Sequence, residues 1–176
     1  MLMLNRIRRA ILLDKAVYGE VAADKSATGQ AIALVLLVSI AISIGEGSSS
    51  SLPWHIWSIA VALPTWAFES WIVWYAGTKL LPEPQTEADW GQVARALAFA
   101  NSIWLIAAIN VFPFITPYMI SFFAITLLMW WFIAAITAAQ QVLSYSSLGR
   151  GATVILIGML PSFLISWSMD TLLFGG

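Results

Sequence analysis

Long apolar runs alternate with short polar breaks along this chain, and the pattern predicts helices long enough to cross a bilayer. Crossing takes about 20 mostly apolar residues, because the hydrocarbon core is about 30 Å thick and a helix rises about 1.5 Å per residue. Five runs qualify: residues 28–44, 54–76, 97–112, 117–143 and 152–173. The first and third are short, and the third is expected to be extended at its start by an amphipathic turn or two. The breaks carry turn chemistry. Residues 45–53 (GEGSSSSLP) read as a flexible Gly/Ser loop. Residues 81–85 (LPEPQ) hold two prolines that end a helix. Residues 86–89 (TEAD) then resemble a capping box, with Thr86 as N-cap and Asp89 at the third helical position. Pro113 and Pro117 bracket a tight hairpin, and residues 144–151 (SYSSLGRG) form a short polar link.

Ahead of the first run, Leu4, Ile7 and Ile11 recur at helical spacing opposite Asn5 and Arg9. With Arg6 and Arg8 beside them, residues 1–25 read as a cytoplasmic segment carrying a short basic amphipathic helix in the membrane interface. A secretory signal is not expected, since only four apolar residues follow the arginines and no cleavage-like site comes after them. The fold expectation is therefore an all-α membrane protein, one domain of five transmembrane helices plus a short N-terminal interfacial amphipathic helix.

Composition agrees with that pattern. Of 176 residues, 60% are apolar and only 10% charged, far from the near-half and one-quarter of soluble domains, which excludes a soluble monomer. Aromatics at 13% exclude a disordered chain. A net charge of −1 gives no basic field for nucleic acid. With no Cys and one His, disulfides and thiolate metal sites are excluded, and most zinc or haem sites are not expected. Charge placement changes the picture most. All eight Lys and Arg (Arg6, Arg8, Arg9, Lys15, Lys25, Lys79, Arg95 and Arg150) fall on one side if there are five spans. The positive-inside bias makes that side cytoplasmic, with the N-terminus inside, the C-terminus outside and the protein in the plasma membrane.

The stretches "RRAILLDKAVYGEVAADKSATGQAIALVLLVSIA", "WGQVARALAFANSIWLI" and "WWFIAAITAAQQVLSYSSLGRGATVILIGML" resemble a prokaryotic member of the Yip family. These are five-span proteins named for the eukaryotic Ypt/Rab-interacting proteins. The resemblance covers nearly the whole chain and rests on the order of weak motifs. It implies five helices and a cytoplasmic N-terminus. The GTPase-binding role of the eukaryotic relatives depends on a longer cytoplasmic region than the roughly 25 residues here, so it does not carry over. The resemblance implies no catalytic residues.

Glu69 is the sharpest candidate for chemistry, lying inside the second run among Trp66, Phe68, Trp71 and Trp74. An ionisable group at membrane depth is costly and marks a site by default. It could serve a proton or cation; the plainer alternative is a carboxyl neutralised by Arg95 or by protonation. Asn101, Asn110, Gln140 and Gln141 are the polar residues of spans three and four, read as interhelical hydrogen-bonding groups or as the lining of a polar cavity. His55, beside Trp54 and Trp57, is expected in the outer aromatic belt, with pairing to Glu46 or Asp170, or pigment ligation, as alternatives. Arg6, Arg8, Arg9, Trp54, Trp57 and Trp74 are expected at the interface, in contact with lipid. Gly29 with Ala33, and Ala134 with Ala138, offer small-residue faces for helix packing. Pro64 and Pro161 should kink spans two and five. No enzyme motif and no metal-spaced cluster is present.

These readings lead to a non-enzymatic membrane protein acting through helix–helix contacts, as an oligomeric or accessory scaffolding subunit. The partners expected are the bilayer, further copies and other membrane proteins. Bound lipids are expected, and no cofactor or metal. The alternatives are a transporter or channel for a small solute, ion or proton using Glu69, and a pigment- or lipid-binding subunit of an energy-transducing complex.

Overall fold

The computed structural model describes residues 2–46, 51–112 and 116–173, without the side chains of Val111, Pro117, Pro161, Ser162 and the residues from Ile165 on. Among the described residues every regular element is helical. A helical hairpin opens the chain: α1 (Leu2–Ile11) and α2 (Lys15–Ala23), the latter capped by the Asp14 carboxylate. A 3₁₀ turn, Lys25–Ala27, leads into α3 (Thr28–Glu46). Next come α4 (Leu52–Tyr75), continued by a π turn at Ala76–Leu80, and α5 (Trp90–Ala100), continued as a 3₁₀ helix over Asn101–Val111. α6 (Pro117–Leu143) and α7 (Leu148–Leu173) complete the bundle. Among the described residues four helical runs are long and apolar enough to cross a membrane: Lys25–Glu46, Leu52–Leu80, Trp90–Asn110 and Tyr118–Leu143. The described apolar part of α7, Leu148–Leu160, is shorter.

The third run is the centre of the bundle. Its most apolar window is 61% buried, against 11–33% for the other three. Small residues let its neighbours approach: Ala94, Ala96, Ala98 and Ala100 on α5 are buried, as are Ala134, Ala135, Ala138 and Ala139 on α6. Its 3₁₀ continuation resolves the shortness of this run in the sequence. Eleven α-helical and eleven 3₁₀ residues together reach about 38 Å, enough for a bilayer. Gly45 of α3 lies tight against it. A Cβ there would stand 2.2 Å from the Ala107 carbonyl oxygen.

Several boundaries move. Gly45 and Glu46, expected in the loop, belong to α3. The third helix starts at Trp90, and its capping box is formed by Asp89 and Gln92, not by Thr86 and Asp89. The Thr86 hydroxyl instead donates to the Leu143 carbonyl at the end of α6, so it is held by another helix. The packing face of α3 is Ala31, Leu34, Val35, Val38 and Ala41, not the face of Gly29. Gly29 is exposed, with nothing within 4 Å of a Cβ placed on it, and Ala33 is only half-buried. Pro64 is carried within a continuous α4. The expectations for Pro113 and for the side chains of Pro161 and Asp170 lie outside the described residues.

Candidate functional site

The two ends of the bundle differ in chemistry. At one end α1 folds back on α2 and joins their charges. Arg6 is only 4% exposed. It donates to Glu20 at 2.9 Å, to Asp24 at 2.8 Å and to the Gln30 side chain at 3.2 Å. Arg9 bridges Asp14 and Glu20. Arg6 is therefore turned into the protein, where the sequence reading had placed it against lipid. Two carboxylates and an amide oxygen within hydrogen-bond reach make its desolvation tolerable. Arg8 remains exposed. Hydrogen bonds from Ser26 and then Arg6 hold the Asp24 carboxyl down at about 2. Arg9 first, then Arg6, lowers Glu20. Burial raises the Tyr18 hydroxyl, which donates to the Ala10 carbonyl.

Arg95 closes the same end. Its guanidinium donates to the carbonyls of Val21 (3.0 Å) and Ala22 and to the Thr28 hydroxyl (3.4 Å). These carbonyls sit at the C-terminus of α2, where four groups lack helical partners and the helix dipole is negative. A cation the sequence offered as a counter-charge for Glu69 thus caps α2. Nearby, Glu83 accepts from the Ser146 backbone and hydroxyl, lies 3.6 Å from Arg150, and is lowered chiefly by the Ser146 N–H. Arg150 also donates to the Pro82 carbonyl, and Tyr145 to the Gly77 and Leu81 carbonyls. The polar links 81–89 and 144–151 are clasped together in this way. Trp74, expected at the interface, donates to the Ala88 carbonyl in the same clasp.

The other half of the bundle holds a cavity of about 290 Å³ between α3 and α4. One end of it lies by Trp54 and Trp57 and the other by Trp66, Glu69 and Asn101. Trp54 and Glu69 are 15 positions apart on α4, so the lining spans about 22 Å along the helix. Beside the first end the Ser43 hydroxyl meets His55 Nδ1 at 2.7 Å, and Glu46 lies 3.6 Å from the same nitrogen while accepting from the Trp54 indole at 3.0 Å. His55 is thereby tied to Ser43 and Glu46, and Trp54 and Trp57 line the hollow. At the other end, Asn101 Oδ1 accepts from the Trp131 indole at 2.6 Å. A smaller space of about 30 Å³ on the far side of Glu69 and Asn101 is bounded by Ser70 and Gly158. That is room for one water molecule. The buried Ser70 hydroxyl, which lines it, has no protein partner.

The structure brings Glu69 and Asn101 together and leaves the other candidates apart. Arg95 is at α2, and Asn110 is further along the 3₁₀ segment with a buried Oδ1 lacking a partner. Gln140 lies against α7, where a Cβ on Gly151 would stand 3.0 Å from its Cγ. Deep indoles do find acceptors: Trp66 on the Ala94 carbonyl and Trp130 on the Ile11 carbonyl. Sequence reasoning missed the hydroxyls of the lining, Ser39, Ser58 and Thr65. Ser58 and Thr65 recur at a spacing of seven within an apolar run, one face of a helix, and that signal was available. It also missed Glu20 and Asp24 as partners of Arg6, although residues 14–24 hold three acids beside a cluster of arginines.

No family model matches the chain, and no curated protein or solved structure matches it.

Proposed function

We propose that the chain is a five-span integral membrane protein of the plasma membrane, with a cytoplasmic N-terminus and an outer C-terminus. On this reading α7 is the fifth span and α1–α2 lie in the cytoplasmic interface. Its working site is the Glu69 cavity, where it binds a small solute without catalysis, as the first step of transport or of sensing. One observation carries this reading: an aromatic-lined hollow of about 290 Å³ between α3 and α4 with the Glu69 side chain in its lining. Largely apolar concavities with a few convergent polar groups are the usual form of small-molecule sites. Topology is supported by the gathering of Arg6, Arg9, Arg95 and Arg150 at one end of the bundle. Native mass spectrometry of the chain released from mild detergent tests the site. A small-molecule adduct that Ala62→Trp removes is the expected result, and no adduct with any solute offered sinks it.

A second reading is a scaffolding or accessory subunit held by helix–helix contacts, in line with the resemblance to the Yip family. It is favoured by a stacked ladder on the outer face of α4: Phe68 on Trp71 at 6.2 Å and Trp71 on Tyr75 at 5.6 Å, all three exposed. Recovery in a complex with other membrane proteins at native expression level would favour this reading over the first.

A further inference from the structure

The fold replaces the apolar stripe that the sequence of α1 suggests. Ile7 is buried together with Arg6 and Ala10, while Leu2, Leu4 and Leu12 are each more than half exposed. Leu4, Arg8 and Leu12 follow one another at four-residue spacing and are all exposed, so they share one outward face. The Leu12 N–H still bonds the Arg8 carbonyl, which keeps it in helical register just past the end of α1. An arginine between two leucines is a costly face to show to water. It suits a bilayer surface, where leucines enter the acyl chains and the arginine reaches up to a phosphate. The Trp130 indole of α6 donates to the Ile11 carbonyl at 3.1 Å, 13 positions from Leu143. The end of α1 is thereby held against the flank of an apolar span, about 20 Å along it from Leu143.

Charge selects the headgroup. Residues 2–27 hold five cations (Arg6, Arg8, Arg9, Lys15 and Lys25) and three acids (Asp14, Glu20 and Asp24), a net of +2. Arg6 and Arg9 take all three acids. Arg8, Lys15 and Lys25 are exposed and, among the described residues, join no ion pair. A zwitterionic headgroup brings its own cation to its phosphate and gains little from these three. An anionic headgroup brings none, and each Lys or Arg near it adds to the attraction.

We infer that the outward face of the α1–α2 hairpin docks on anionic phospholipid of the cytoplasmic leaflet, with Leu4 and Leu12 among the acyl chains and Arg8, Lys15 and Lys25 at the phosphates. This rests on the placement of α1–α2 in the cytoplasmic interface and adds the headgroup class and the residues that read it.

The chain has no cysteine, so Leu12→Cys carries a single bimane label on this face. The labelled full chain is placed in nanodiscs of mixed phosphatidylglycerol and phosphatidylcholine, with a nitroxide on the acyl chain of one lipid or the other at equal mole fraction. Quenching then reports which lipid sits beside α1. The expected result is quenching by both, with phosphatidylglycerol about threefold or more the stronger quencher and its excess shrinking at about 1 M salt. Arg8→Gln, Lys15→Gln and Lys25→Gln together should remove the excess and leave quenching by phosphatidylcholine in place. Equal quenching by the two lipids overturns the headgroup class and leaves the interfacial placement standing. No quenching by either overturns both. An excess that survives the triple exchange overturns the assignment to these cations. A label at Leu4→Cys repeats the measurement should Leu12→Cys fail to fold, and the chain with its cations intact decides the headgroup class should the triple variant fail.

Discussion

The cationic end and the cavity end of this bundle are built from similar helices and treat polar groups in opposite ways. At the cationic end each deep charge is matched. Arg6 meets Glu20 and Asp24, Arg95 meets the carbonyls that end α2, and Glu83 meets Ser146 and Arg150. At the cavity end a hollow of about 290 Å³ opens between α3 and α4, with the Glu69 side chain in its lining. The contrast teaches where the fold is held and where it is kept open. Filling α3–α4 with larger side chains in place of Ala62 and Ser58 would be a simple route to more burial, since dense packing is the norm for interiors. That the chain is not filled there fits a site and does not fit a structural seam.

The comparison breaks most visibly at Arg95. Arg95→Met removes the donors from two carbonyls while keeping most of the side chain's length. Unsatisfied buried carbonyls and the lost dipole interaction together should cost about 2–4 kcal/mol. Thermal unfolding in detergent would register this as a drop of several degrees, with Arg95→Lys between the two. An unchanged midpoint would mean that the α2 terminus is satisfied in some other way. Gly45→Ala tests the far side of the same contrast. The added Cβ meets a backbone carbonyl, not a movable side chain, so α3 must shift from the 3₁₀ segment at about 1–3 kcal/mol. Loss of the small-molecule adduct along with stability would tie that close approach to the shape of the cavity.

Acid should separate the two ends more gently. Asp24, Glu20 and Asp14 all have folded-state values held below the ordinary carboxylate range, with Asp24 at about 2 instead of 3.8. A lowered folded value contributes stability that is present above the unfolded value and is lost as pH falls through the folded one. The melting midpoint should therefore be flat above about pH 5 and fall between about pH 4 and pH 2. In Arg6→Met that fall should shrink, because one of the causes of the lowering is gone. A fall of undiminished size would place the acid-sensitive pairs elsewhere.

Legibility in the sequence followed the same division. Long apolar runs, proline breaks and the one-sided cations are local signals, and the residues of α6 came out at 117–143 as expected. The amphipathic extension expected ahead of residue 97 is there as well, with α5 starting at Trp90, though its apolar positions are too sparse to fix that start residue by themselves. Thr86 had the residue type of a cap, yet a carbonyl 57 positions away claimed its hydroxyl, and no local pattern carries that pairing. Glu69 was visible as an anomaly of residue type. The hollow beside it was not, because it is a property of the distance between α3 and α4 and of no run of residues.

The smallest effect on stability is the sharpest test of why that distance is kept. Ala62 is half-buried and lines the cavity. Ala62→Leu adds three carbons into space already present, so it needs no backbone shift of the kind Gly45→Ala forces. Its extra burial and its restricted rotamers roughly offset each other, leaving stability within about 1 kcal/mol of the unaltered chain. The small-molecule adduct seen by native mass spectrometry should nevertheless be lost, since the volume it needs is occupied. Stability rising with the adduct retained would mean that the hollow is a packing defect and that the solute binds elsewhere. Stability held and the adduct lost would show that the volume between α3 and α4 is kept for an occupant, and that the charge-matched end supplies the stability an unfilled hollow forgoes.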